Sequence, residues 1–133
     1  MSIKKEIENR DDIRLLVESF YLKVKKDDII GEIFNDVLVF RWDTHIPIMI
    51  DFWETVLLGT GSYRGNTMRV HIDLNKVHHL KPEHFARWKK LFFETLDEHF
   101  TGPKAEEAKS RVELMETLMQ TKLEQSGNPN FIQ

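Results

Sequence analysis

Apolar residues recur at intervals of three and four along most of the chain, the spacing of helices that bury one face. Ile13, Leu16, Val17, Phe20 and Val24 form the first stripe, with Asp11 and Asp12 near its start, where the helix dipole favours anions. A short second helix is expected from about Asp28 to Phe34. Asn35–Trp42 loses the period and is β-branched in places (Val37, Val39), so a strand is the alternative to the irregular connection it resembles most. Asp43 or Thr44 can cap the next helix. Pro47 then falls in its first turn, where backbone N–H groups lack intrahelical partners and proline is tolerated. This helix should reach Leu58, stop at Gly59, and carry His45, Met49, Phe52, Trp53 and Val56 on one face.

Gly59–Asn66 reads as loop and Met68–Leu74 as a short helix. Another helix should begin with Pro82 at its first position and run to about His99, with Phe85, Trp88, Phe92 and Leu96 facing one way. Gly102-Pro103 breaks the chain. A last helix follows to about Leu123, presenting Ala108, Val112, Met115 and Met119 on one side. The pattern predicts one small all-α domain over residues 1–125, with a flexible tail at 126–133.

A length of 133 residues suits a single domain, and 41% apolar residues, among them nine Phe, three Trp and two Tyr, suffice for one core. The net charge of −3, without a basic stripe, argues against a nucleic-acid partner. The Lys23–Lys26 cluster reads as a solvated helix end. With no cysteine, disulfides and thiolate metal ligands are excluded. The N-terminus has no apolar core of a secretory signal, and no apolar run approaches the roughly 18–20 residues that cross a bilayer. A cytoplasmic protein without a membrane partner is expected.

Few constellations carry chemistry. His78, His79 and His84 could cluster, but no His-Glu-X-X-His helix supports a zinc site, and surface histidines explain them adequately. Gly59-Thr-Gly61 lacks the Gly-Lys-Ser/Thr of a phosphate loop, and no Gly-X-Ser-X-Gly elbow occurs. One set stands apart. A haem pocket needs an axial imidazole, flat apolar walls and polar donors opposite the imidazole. Phe20, Tyr21, Phe34, His45, Phe52, Trp53, His71 and Trp88 have those chemical types, though periodicity does not show that they converge.

The ordered motifs carry more. Phe20-Tyr21 with Val24 and Asp27, Gly31-Glu-Ile-Phe34, Trp42 followed by His45, and Asp51-Phe-Trp53 with Leu58-Gly59 come first. Tyr63-Arg-Gly65, His71-Ile-Asp-Leu74, and His84-Phe-Ala-Arg-Trp88 with Leu91-Phe92 follow. In this order, over roughly residues 12–123, the chain resembles a group III truncated haemoglobin, a two-over-two helical globin. The double-glycine motifs typical of the other truncated groups are missing. The resemblance implies a non-covalent haem b, with His71 as proximal iron ligand, Tyr21 as distal donor and Trp88 as second donor. It places His45 at the distal gate and Phe34, Met49, Phe52 and Trp53 in the apolar walls. Arg69 and Lys76 are candidate propionate partners from their proximity to His71. Two departures stand out: a longer Asn75–His79 stretch, in which His78 or His79 rivals His71, and Pro47, which can shift the gate residue's aim.

The function expected from this resemblance is binding of dioxygen and other small ligands: nitric oxide, carbon monoxide or peroxide. Two distal donors would hold dioxygen tightly, which suits conversion of nitric oxide to nitrate, or peroxidase-like chemistry, better than oxygen delivery. Such catalysis requires an external reductase, since the chain has no flavin or nicotinamide motif. The rivals are a haem-free helical interaction module that docks a partner through exposed aromatics, and a haem-based gas sensor. The sensor is disfavoured by the lack of an appended output domain.

Overall fold

Asn9 sets where the first helix begins. Its side chain accepts the N–H of Asp12 at 3.0 Å, and Asp12 in turn accepts the N–H of Glu8 at 2.9 Å, so two donors freed at the helix start are met. The computed structural model describes residues 4–33, 42–63, 65 and 81–126. Among them lie four helices: α1 (Arg10–Lys26), α2 (Trp42–Leu58), α3 (Pro82–His99) and α4 (Pro103–Ser126). Helix α1 packs on both α2 and α3, and α4 packs on α3 and α2.

The expected stripe of α1 is buried in full, and Tyr21 joins it. The basic cluster closes this helix, with Lys23 paired to Glu98 of α3 and Lys25 and Lys26 exposed. Past Asp27 the chain turns over 28–30 and becomes helical at 31–33, in line with the short helix expected there. Gly31 allows this turn to close on α1: a Cβ at this position would lie 3.0 Å from the Val24 carbonyl oxygen.

Helix α2 ends at Leu58, as expected, but it starts earlier than the Asp43 or Thr44 cap implied. Pro47 therefore lies inside the helix and not in its first turn, which Asp43 occupies. Proline has no N–H to offer the carbonyl four residues back. Both Pro47 and Asp43 are exposed, so water can satisfy that carbonyl. Helix α3 begins at Pro82, as its sequence predicts, and buries Leu91 and Thr95 beside Phe92 and Leu96. Helix α4 runs three residues beyond the expected Leu123. Ala108, Val112 and Met119 of its stripe are buried, and Met115 is half-buried. The 35–41 connection and the expected 68–74 helix lie outside the described residues except at Trp42, which opens α2.

The core is aromatic at its centre. Phe92 is fully buried, stacked on Trp53 at 4.8 Å and on Trp88 at 5.0 Å, while Phe20 meets it edge-on at 5.2 Å. Such pairs add stability beyond the area they bury.

Residues ahead of α1 form a strap that periodicity does not reveal. Ile7 is buried, Lys5 bridges to Phe100, and the Lys5 carbonyl accepts the N–H of Thr101 at 2.9 Å. The Glu6 carboxylate accepts the N–H of Lys104 at 2.9 Å, capping α4 from the other end of the chain. Gly102 makes this possible, with φ of +100° and Glu6 Oε2 only 2.6 Å from where a Cβ would stand. Gly102→Ala is accordingly expected to cost about 1–3 kcal/mol, read as a lower urea midpoint. An unchanged midpoint would show that the cap shifts aside without loss. No helix among the described residues is long and apolar enough to cross a membrane.

Candidate functional site

Helices α1 and α3 bring two of the expected distal residues, Tyr21 and Trp88, to one corner of the core. Phe20 is the junction: its ring meets Tyr21 at 4.8 Å and Trp88 at 4.8 Å, both edge-on. Tyr21 is 6% exposed. Burial pushes its hydroxyl well above the usual tyrosine pKa, so it stays protonated and able to donate.

Helix α2 supplies the apolar side. Ile46, Met49, Phe52 and Val56 repeat at three- and four-residue spacing and pack against the core while remaining only partly buried, as does Trp88. His45 is half-buried at the head of this face. Trp53 is 3% exposed and packs between Phe52, at 5.2 Å, and Phe92, so it backs the wall. A flat apolar group with a polar ligand on one side fits this chemistry. The wall keeps apolar surface to cover, and the same core holds the buried, protonated Tyr21 hydroxyl. His71, Phe34, Arg69 and Lys76 lie outside the described residues, as do the rivals His78 and His79.

Of the zinc candidates only His84 is described. Among the described residues no three potential ligands come together, and His84 Nδ1 accepts the Lys81 backbone N–H at 3.0 Å. Docking through exposed aromatics fares no better, since the exposed large apolar side chains among these residues are leucines and isoleucines.

Two carboxylates that sequence reasoning left without a role prove central to how the site is held. Glu54, 9% exposed, accepts from Arg10 at 3.0 Å, Thr60 at 3.1 Å and Ser62 at 2.9 Å. Arg10 also binds Asp51 at 2.8 Å, and the Tyr63 N–H bonds Thr55 at 2.9 Å. Tyr63 then lays its ring against Phe52 at 5.2 Å. The loop after α2 is thus fastened back along that helix at its wall residue. An acid inside so apolar a helix was the available signal. The other carboxylate is Asp27, whose side chain is 2% exposed and paired with Arg87 at 2.6 Å.

Both carboxyls lie below their usual pKa. For Glu54, burial opposes the charge, but Ser62, Thr60 and Arg10 outweigh it. For Asp27, burial is outweighed by Arg87 and the N–H groups of Ile30 and Ile29. Between the lowered folded values and the ordinary unfolded values of about 4, the unfolded chain binds more protons. Their contribution to stability is therefore full above the unfolded values and lost as pH falls through the folded ones. Urea midpoints should fall from about pH 5 downwards. Glu54→Gln should flatten that fall, and an identical slope in the variant would remove Glu54 from the acid response.

Comparison with known proteins agrees with the fold. No protein-family model matches the chain. The group 3 truncated hemoglobin of Campylobacter jejuni is 38% identical over 98 residues, covering 71% of this chain and 75% of that protein. The crystal structure of a group III truncated hemoglobin from Campylobacter jejuni matches with a TM-score of 0.81 and 31% identity, over 91% of this chain and 95% of that one. Sequence identity and fold agree over most of both chains, and the all-α truncated-globin architecture expected from the motifs is the one observed. The chain belongs to the group 3 truncated haemoglobins.

Proposed function

We propose that this globin holds a non-covalent haem b through His71 and binds dioxygen and other diatomics opposite it, between Tyr21 and Trp88. The observation that carries the reading is Tyr21: a protonated hydroxyl, 6% exposed, beside a ring that also touches Trp88. Haem supplies an iron that takes a small ligand and changes oxidation state. The chain would supply the donors and apolar walls that tune which ligand is held.

The Tyr21 hydroxyl and the Trp88 indole N–H are donors to the electron-rich end of a diatomic. Each bond of this near-charge-assisted kind is worth about 1.5–3 kcal/mol, or roughly tenfold to a hundredfold in ligand release. Met49 and Phe52, with Phe34, form apolar walls that exclude water, and Trp53 backs them. His45 stands at the gate, and Arg69 and Lys76 meet the propionates. Residues 1–125 act as a single globin domain.

Retention this strong suits slow release, and hence turnover of nitric oxide to nitrate, or of peroxide, over oxygen delivery. Both reactions consume electrons, so a separate reductase is the partner to seek. A cytoplasmic setting, with neither nucleic acid nor membrane as partner, is consistent with the net charge of −3 and the lack of cysteine.

The test is haemin titration of the purified protein followed by ferric, dithionite-reduced and carbon-monoxide-bound absorption spectra. One equivalent taken up, with a globin-type carbonyl spectrum, is expected. No stoichiometric uptake would mean a globin scaffold without its cofactor and would revive the interaction-module reading.

A further inference from the structure

Asp27 stands where three elements meet, and its carboxylate is used to the full. Oδ1 accepts the Nε–H of Arg87 at 2.6 Å, and Nη2 lies equally close to the same oxygen as an ion pair. Oδ2 accepts the backbone N–H groups of Ile29 and Ile30, each at 2.9 Å. Its own N–H closes α1 on the Val24 carbonyl at 3.1 Å, and its carbonyl takes the Gly31 N–H at 3.0 Å. One residue ends α1, starts the following turn and grips α3.

The grip on α3 falls on the residue immediately before Trp88. Phe20 and Asp27 lie seven residues apart, on the same side of α1 and about 10 Å along its axis. Phe20 holds the Trp88 ring and Asp27 holds the Arg87 guanidinium, so α3 is fixed to α1 both at the indole and at the residue before it. An apolar contact tolerates sliding and rotation. A guanidinium edge gripped by a buried carboxylate does not, because its N–H vectors must stay aligned. We propose that the Asp27–Arg87 pair is a positioning device for Trp88, setting where the second distal donor points relative to Tyr21.

This rests on the haem-binding reading, so the test has one arm with haem and one without. The variants are Arg87→Met, which breaks the pair, and Arg87→Lys, which keeps charge but loses the planar fork. In haem-free protein labelled with 15N-tryptophan, the Trp88 indole signal, assigned by its absence in Trp88→Phe, should shift and broaden in Arg87→Met, less so in Arg87→Lys. The Trp53 signal, from a ring buried in the core, should stay in place. In haem-loaded protein, the C–O stretch of the carbonyl form should move toward that of Trp88→Phe, and dioxygen release should quicken about threefold to tenfold in Arg87→Met.

A merely structural pair predicts something else: a lower urea midpoint with the Trp88 signal, the C–O stretch and the release rate all unchanged. That result overturns the proposal. If the wild type takes up no haem, the haem-binding reading fails while the indole signals still decide whether Arg87 positions Trp88.

Discussion

Replacing His71 with glycine is expected to abolish stable haem binding, the largest functional effect of any single change in this chain. Without a cysteine, nothing can tether a cofactor covalently, so on the proposed reading haem would be held by the His71 imidazole and by burial against the apolar walls. The apolar wall of α2 and the Tyr21–Trp88 side remain in the variant, while the proposed ligand to iron is gone. Haemin titration should lose its one-to-one end point, and the reduced carbonyl spectrum should lose its proximal-histidine form. Free imidazole, filling the space the side chain leaves, should restore part of that spectrum. His78→Ala and His79→Ala, the controls on the longer Asn75–His79 stretch, should behave as wild type. A normal proximal-histidine spectrum in His71→Gly would transfer the ligand to that stretch and displace every residue role inferred from His71.

What the sequence showed, and what it hid, divides by the range of the interactions involved. Pro82 announced the start of α3 because a ring that cannot donate belongs at a first helical position, a local fact. Leu58 before Gly59 was equally local. The start of α2 turns on a local point too: proline favours a first turn, whereas α2 accommodates Pro47 on an exposed face one turn later. Asn9 is a good cap by chemistry, but the apolar stripe with Asp11 and Asp12 marks the start of α1 only approximately.

Interactions between distant parts of the chain were out of reach. Glu6 caps α4 and Asp27 grips Arg87 across gaps of 98 and 60 residues, and neither leaves a periodic trace. Tyr21 and Trp88 had the right chemistry for distal donors, but spacing could not tell a donor from a core ring. Family resemblance implies that role, and the Phe20 junction shows how two helices place both rings together. The Glu54 hub was visible only as an acid among apolar neighbours, a signal that says a partner exists without saying which.

Removing the distal donors one at a time and then together should separate their shares of ligand retention. Tyr21→Phe keeps the ring against Phe20 and deletes only the hydroxyl. Dioxygen release, measured by stopped-flow displacement with carbon monoxide, should rise roughly tenfold to a hundredfold. Trp88→Phe should act in the same direction but also disturb the stack on Phe92, so its release rate has to be read beside its urea midpoint. The double variant is the informative one. If each donor holds the ligand independently, the two factors multiply, giving about two to four decades in all. Both rings lean on Phe20, however, and a ligand atom has few acceptor directions, so competition between the donors predicts a double effect smaller than the product. A Tyr21→Phe rate equal to wild type, with release quickened only by Trp88→Phe, would take the hydroxyl out of ligand retention and leave the indole as the sole donor. Tyr21 would then be a core residue whose buried hydroxyl has some other task.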